Sequence, residues 1–248
     1  MKFTILTLFP EMFESPLQAS LIGKAIERGD IAVDVVNIRD FAKDKHKQAD
    51  DYPFGGGVGM VMKADVVLDA LRAVRTSAEA RTVYLGPGGK TLDQPLAFEL
   101  AEVPELILLC GHYEGIDERA LEAVDLSVSI GDYILTGGEL PALVLLDAVA
   151  RLVPGVVGCR ESVMSETFSH GRIEHPQYTR PRSVNGQEVP EVLLSGNHAA
   201  IRQWRKKESI RKTLQARPDL LFSRPLDEEE QRMLIELIQD GEGARQET

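Results

Sequence analysis

The sequence predicts an α/β domain built on a largely parallel sheet, followed by a smaller helical region. Short apolar or β-branched runs alternate with helix-compatible segments as far as Val153. Glycine-bearing segments follow several of these runs at their carboxyl ends. Beyond Val153 the alternation gives way to a long polar stretch and then two helical segments.

Residues 3–8 form a short apolar run that suits a buried strand, and 16–28 suit a helix that Gly29-Asp30 ends. Residues 31–38 are rich in β-branched side chains and predict a second strand. Residues 39–52 are charged and loop-like, and 63–75 predict a helix. Further strands are expected at 83–85, 106–110 and 126–130. Pro141 suits the first turn of a helix running to Leu152, where a proline sacrifices no helical hydrogen bond. Apolar residues on nearly every side of that helix predict burial on most faces. Residues 154–196 hold many glycines and prolines and predict a long loop, a frequent carrier of function. Helices are expected at 198–216 and 226–240, the second with Asp227, Glu228, Glu229 and Glu230 near its positive N-terminal end. The domain boundary falls near 160–175.

The 248 residues can bury a substantial core. Two cysteines, Cys110 and Cys159, make no disulfide framework, and no Cys/His cluster has metal-ligand spacing. This usage fits a reducing, cytoplasmic setting. The N-terminus lacks the long apolar stretch of a signal peptide. The richest apolar segment, 140–153, carries Asp147 and Arg151 and is too short to span a bilayer. The net charge of −11 argues against a nucleic-acid partner, but its distribution argues for one. Arg172, Arg180, Arg182, Arg202, Arg205, Lys206, Lys207, Arg211, Lys212 and Arg217 are set against only Glu174, Glu188, Glu191 and Glu208 in the same segment. A solvated helix face is the alternative reading.

Gly86-Pro87-Gly88-Gly89-Lys90-Thr91 resembles the end of a phosphate-binding loop, but Tyr84 stands where the first glycine belongs. The motif fails, and a tight turn after a strand is expected instead. Gly111-His112-Tyr113-Glu114-Gly115-Ile116-Asp117 follows a strand, where ligands of α/β sheets bind. Glu114 can accept hydrogen bonds from a ribose or an amine, and Asp117 can open the next helix. Residues 130–141 follow another strand. Together, segments 84–91, 111–117 and 130–141 can wall one pocket for a ligand with an adenine, a ribose and a charged tail. Residues 54–60 are glycine-rich and suit a hinge, a substrate-facing loop or a connector.

The ordered set of motifs closely resembles the bacterial tRNA (guanine-N1)-methyltransferases of the SPOUT superfamily. It comprises Leu6-Thr7-Leu8-Phe9-Pro10-Glu11-Met12-Phe13, Asp51-Tyr52-Pro53-Phe54-Gly55-Gly56-Gly57 and Cys110-Gly111-His112-Tyr113-Glu114-Gly115-Ile116-Asp117-Glu118-Arg119. It continues through 130–141, Pro176-Gln177-Tyr178-Thr179-Arg180-Pro181 and Leu193-Leu194-Ser195-Gly196-Asn197-His198. The resemblance implies a SPOUT-type sheet ending in a deep trefoil knot, a fold that periodicity cannot supply. It implies a knotted cofactor domain over 1–160, a flexible lid or linker over 161–175 and a helical tRNA-binding domain over 176–248. It further implies a homodimer, S-adenosylmethionine as methyl donor, magnesium dependence with no assignable ligands, and the guanine just 3′ of the anticodon as target. The implied cofactor residues are Tyr84, Leu85, Pro87, Gly111, Glu114, Ile130, Gly131, Asp132, Tyr133, Ile134, Leu135, Gly137, Gly138 and Pro141. The lid is expected around 156–173.

Methyl transfer to N1 of neutral guanine needs a base for the N1 proton and a cation for charge developing on O6. The resemblance assigns the cation to Arg151, against the alternative of a helix-end arginine. The family's base lies in an Asp-Ser-Phe pattern, and this chain has Glu166-Thr167-Phe168. Glu166 is the expected base, one methylene longer, with His170 and Glu161 as reserves. Residue 112 is His where many relatives carry Arg. Competing readings are a SPOUT enzyme with another target nucleotide and a non-catalytic tRNA-binding protein.

Overall fold

The computed structural model describes residues 1–158, 166–169 and 171–246, with side chains through 239. The chain divides into two compact units, Met1–Arg160 and Glu161–Thr248.

The first unit runs β1 (Lys2–Thr7), α1 (Glu14–Gln18), α2 (Ser20–Arg28), β2 (Ala32–Asn37), β3 (Asp50–Asp51), β4 (Val61–Met62) and α3 (Ala64–Val74). It continues with β5 (Arg81–Thr91), α4 (Gln94–Ala101), β6 (Glu105–Cys110), α5 (Glu118–Leu121), β7 (Leu126–Ser129) and α6 (Glu139–Ala150). Five strands form one sheet in the order β2-β1-β6-β5-β7, and every pairing is parallel. Neighbouring residues of β6 serve opposite cores, as the two-residue strand period requires. Leu106 and Leu108 pack with α2, α4 and α6, whereas Ile107 and Leu109 pack with α3 and α5. A strand covered on both faces reads as a continuous apolar run, which is why β6 was legible.

The helix expected over 16–28 is two helices. Ala19 is extended (φ −100°, ψ 154°) and Ser20 has φ 56°. A Cβ on Gly23 would lie 2.4 Å from the Gln18 carbonyl oxygen, so the glycine permits α2 to cross the end of α1. The tight turn expected after 83–85 is also corrected. β5 leaves its partner after Leu85 and returns at Lys90, both opposite Val128 of β7. Gly89 lets it return, because a Cβ there would lie 2.3 Å from the Val128 nitrogen. Helix α6 is buried along Ala142, Leu145, Leu146 and Val149, but Leu140 and Val144, one turn apart, stay half-exposed.

In the second unit the long loop expected over 154–196 contains a hairpin, β8 (Ser183–Val184) with β9 (Gln187–Glu188). Its turn residues Asn185 and Gly186 have φ of 53° and 80°, the left-handed pair that a tight hairpin demands. Then follow α7 (Glu191–Leu194), α8 (His198–Ala216), a 3₁₀ turn (Pro218–Phe222) and α9 (Glu228–Gln246). Asn197 caps α8 by accepting from the Ala199 and Ala200 amides. The core here is small, centred on Ile210, Leu221 and Leu237. Among the described residues no helix is long and apolar enough to cross a membrane.

Candidate active site

The excursion of β5, the segment after β6 and the segment after β7 line one pocket of about 430 Å³ at the carboxyl ends of these strands. Its walls include Tyr84, Leu85, Pro87, Gly111, Glu114, Ile130, Gly131, Tyr133, Ile134, Leu135, Gly137, Gly138 and Pro141. Every residue expected at a cofactor pocket is therefore here except Asp132, which is exposed and does not line it. The sequence reading did not name Gly86, His112, Tyr113, Gly115 or Thr136 as cofactor residues, although all line the pocket. They belong to the same segments, so the segments were the signal rather than single residues.

Close backbone approach fixes the walls. The Gly138 amide donates to the Gly111 carbonyl at 2.8 Å, and His112 and Gly137 form an isolated antiparallel bridge. A Cβ on Gly111 would lie 2.9 Å from the Tyr84 ring, and one on Gly137 would lie 2.6 Å from Nδ1 of His112. The glycine-rich segment 54–60 meets the pocket rim at its far end. The Glu114 amide donates to the Met60 carbonyl, and a Cβ on Gly59 would lie 2.5 Å from Oε1 of Glu114. Asp117, as its alternative reading expected, caps α5 through the Arg119 amide and chelates the Arg119 side chain.

Beside the pocket-lining His112 lies a buried acid. Glu139 is 2% exposed, and one oxygen accepts from Oγ1 of Thr7 at 2.8 Å. The other lies 4.0 Å from Nδ1 of His112, a buried nitrogen with no hydrogen-bond partner. The His112 ring packs against Phe9 and Tyr113. Burial, with the Glu139 charge beside it, pushes the Cys110 thiol well above its ordinary pKa, so it is an inert core group rather than a nucleophile. Burial, then the Glu118 charge, raises the Tyr84 phenol. Backbone edges, apolar walls and one pocket carboxylate, Glu114, suit a heteroaromatic ring joined to a hydroxylated sugar and a charged tail.

The expected catalytic pair lies in different units. Arg151 ends α6 and is half-buried. Glu166 opens a turn in the second unit, where its carbonyl accepts from the Ser169 amide. The Phe168 amide donates to the Arg172 carbonyl, and the Glu174 amide donates to Oγ1 of Thr167. Arg172 is buried and donates to the Gly171 and Leu220 carbonyls. The reserve bases Glu161 and His170 lie outside the described residues, as do Cys159 and much of the expected lid, 159–165. Among the described residues no group of His, Cys, Asp or Glu gathers as a metal site.

The basic segment sorts into two classes. Lys206 pairs with Asp227 and Glu229, Lys207 with Glu236, Arg211 with Glu208, Arg217 with Asp219, and Arg182 with Glu188 and Glu191. Arg180, Arg202, Arg205 and Lys212 form no hydrogen bond or ion pair among the described residues.

A family profile described as tRNA (guanine-1)-methyltransferase TrmD matches residues 1–223. A protein of Syntrophomonas wolfei subsp. wolfei is 56% identical over 245 residues, covering 99% of this chain and 100% of the relative. One from Caldanaerobacter subterraneus subsp. tengcongensis is 51% identical over 236 residues, covering 95% and 98%. One from Clostridium tetani is 49% identical over 233 residues, covering 94% and 97%. All three carry the name tRNA (guanine-N(1)-)-methyltransferase.

Proposed function

The chain belongs to the tRNA (guanine-N1)-methyltransferase family, and from that premise we propose that it transfers a methyl group from S-adenosylmethionine to N1 of the guanine just 3′ of the anticodon. The observation that carries the cofactor part is the convergence of three strand-end segments on one pocket. When bound, S-adenosylmethionine supplies an activated methyl group. Glu114 faces the ligand's hydroxyls or amine, while backbone groups of 130–138 and the apolar edges of Leu85, Ile130 and Leu135 hold its ring. The glycines at 111, 137 and 138 let the wall segments approach closely, because a Cβ on them would collide with Tyr84, with Glu139 and His112, and with Cys110.

Glu166 takes the N1 proton of the guanine, and Arg151 holds the charge that then develops on O6. Glutamate and aspartate have similar intrinsic basicity, so the extra methylene must be absorbed by the turn that carries it. That turn is tied to Arg172 and Glu174 by hydrogen bonds, which supports a fixed reach.

The proposal includes the trefoil knot, a domain arrangement of 1–160, 161–175 and 176–248, a cytoplasmic setting and a homodimer. The half-exposed Leu140 and Val144 on α6 support an interface there. Reaction of the purified protein with methyl-labelled S-adenosylmethionine and a tRNA transcript tests the chemistry. The expected digestion product is labelled 1-methylguanosine. A ribose-methylated nucleoside or another methylated base would overturn the proposal.

A further inference from the structure

A second groove, of about 710 Å³, lies wholly within the second unit between the segment 175–182, α7 and α8. Its floor is Trp204, with Ile201 and Arg205 beside it at helical spacing on α8. The His175 and Tyr178 rings stand 6.3 and 6.2 Å from the Trp204 ring, tilted by 58° and 53°. These rings surround an open space rather than closing into a core, and Tyr178 is 49% exposed. Arg180 and Arg205 also line the groove, and neither has a partner among the described residues. The remaining cation, Arg182, is neutralised by Glu188 and Glu191. On the far side of Trp204 the lining includes Glu229 and Glu236, which occupy Lys206 and Lys207. Arg232 is also on that far side, where it donates to the Glu228 carbonyl, whereas Arg180 and Arg205 lie beside the open aromatic faces.

Aromatic faces flanked by unpaired arginines are the chemistry that takes an unstacked base and its phosphates. We propose that this groove binds an unpaired RNA base stacked on Trp204, with the adjoining phosphates held by Arg180 and Arg205. The proposal rests on the tRNA-methyltransferase reading and adds a binding site apart from the cofactor pocket.

Trp204 is the chain's single tryptophan, so tryptophan fluorescence reports the surroundings of this one residue. Titration of the intact protein with a tRNA transcript is expected to quench it, with a midpoint matching filter binding. An unpaired oligonucleotide should compete for the quench, and a duplex of the same sequence should not. Trp204→Leu should raise the Kd and KM for tRNA roughly five- to 150-fold, the range for losing one base stack. Trp204→Phe, which keeps a π-face, should restore most of the loss, and Arg205→Gln should weaken binding while lowering its salt dependence. Unchanged fluorescence at saturating tRNA, or wild-type affinity in Trp204→Leu, would overturn the proposal. Methylation with a silent Trp204 would reject the groove alone. Quenching without 1-methylguanosine would reject the functional reading and leave the groove standing.

Discussion

Gly138 sits so close to Cys110 that a Cβ on the glycine would lie 2.7 Å from the cysteine Cα. The contact is backbone against backbone, at the point where the segment entering α6 crosses the end of β6. Neither side can swing away as a flexible side chain would. The pocket wall therefore depends on a missing methyl group.

Gly138→Ala is expected to force these segments apart at a cost of about 1–3 kcal/mol. If part of that strain is relieved by opening the pocket, affinity for S-adenosylmethionine falls by about tenfold, the equivalent of 1.4 kcal/mol. Calorimetric titration of the folded variant measures it, and wild-type affinity would contradict the wall assignment.

Glu166→Gln keeps the shape of the side chain and removes its basicity. Single-turnover methylation should fall by roughly 10²–10⁴-fold, the usual contribution of a general base. Binding of tRNA should persist. A wild-type rate would remove Glu166 from the mechanism.

The two classes of basic residue should differ in their salt response. Arg205→Gln should reduce the slope of log affinity against log salt by about one unit if the side chain meets a phosphate. Lys206→Gln should leave that slope nearly unchanged, since Lys206 is committed to Asp227 and Glu229. Equal losses from both variants would refute the sorting.

Acid should weaken the second unit through Glu230. Asp227 and Glu230 exchange hydrogen bonds at the start of α9, each accepting from the other's amide. Burial raises the Glu230 pKa, but hydrogen bonds from Arg224 and the Asp227 amide, with the Arg224 and Arg172 charges, outweigh it and hold the carboxyl below 4.5. A depressed folded pKa means stability that is present above the unfolded value and lost as pH falls through the folded one. Glu230→Gln should cost about 1–3 kcal/mol at neutral pH. Melting curves should show that gap closing below about pH 4.5. A gap independent of pH would contradict this account.

Much of the fold was legible because its signals are local. The apolar run at 106–110 became β6, and the helix expected over 198–216 has those bounds as α8. What was missed depends on distant partners. The break at Ala19 reflects the crossing of α1 and α2, and the detour of β5 is defined only by its return to Val128. The Asn185-Gly186 turn did carry a local hairpin signal that the surrounding polar stretch obscured. The strand-end glycine segments singled out in the sequence are the ones that line the pocket. They could not reveal that Asp132 does not line it or that His112, which does, has the buried Glu139–Thr7 pair beside it. The basic segment gave the sign of the charge, while pairing decided which side chains remain available.

The most direct test of the central claim compares two tRNA transcripts that differ only in the base following the anticodon. Each is incubated with the protein, methyl-labelled S-adenosylmethionine and magnesium. The account predicts labelled 1-methylguanosine from the transcript with guanine there and none from the one with adenine. Equal labelling of both, or tight tRNA binding without label when cofactor is bound, would contradict it.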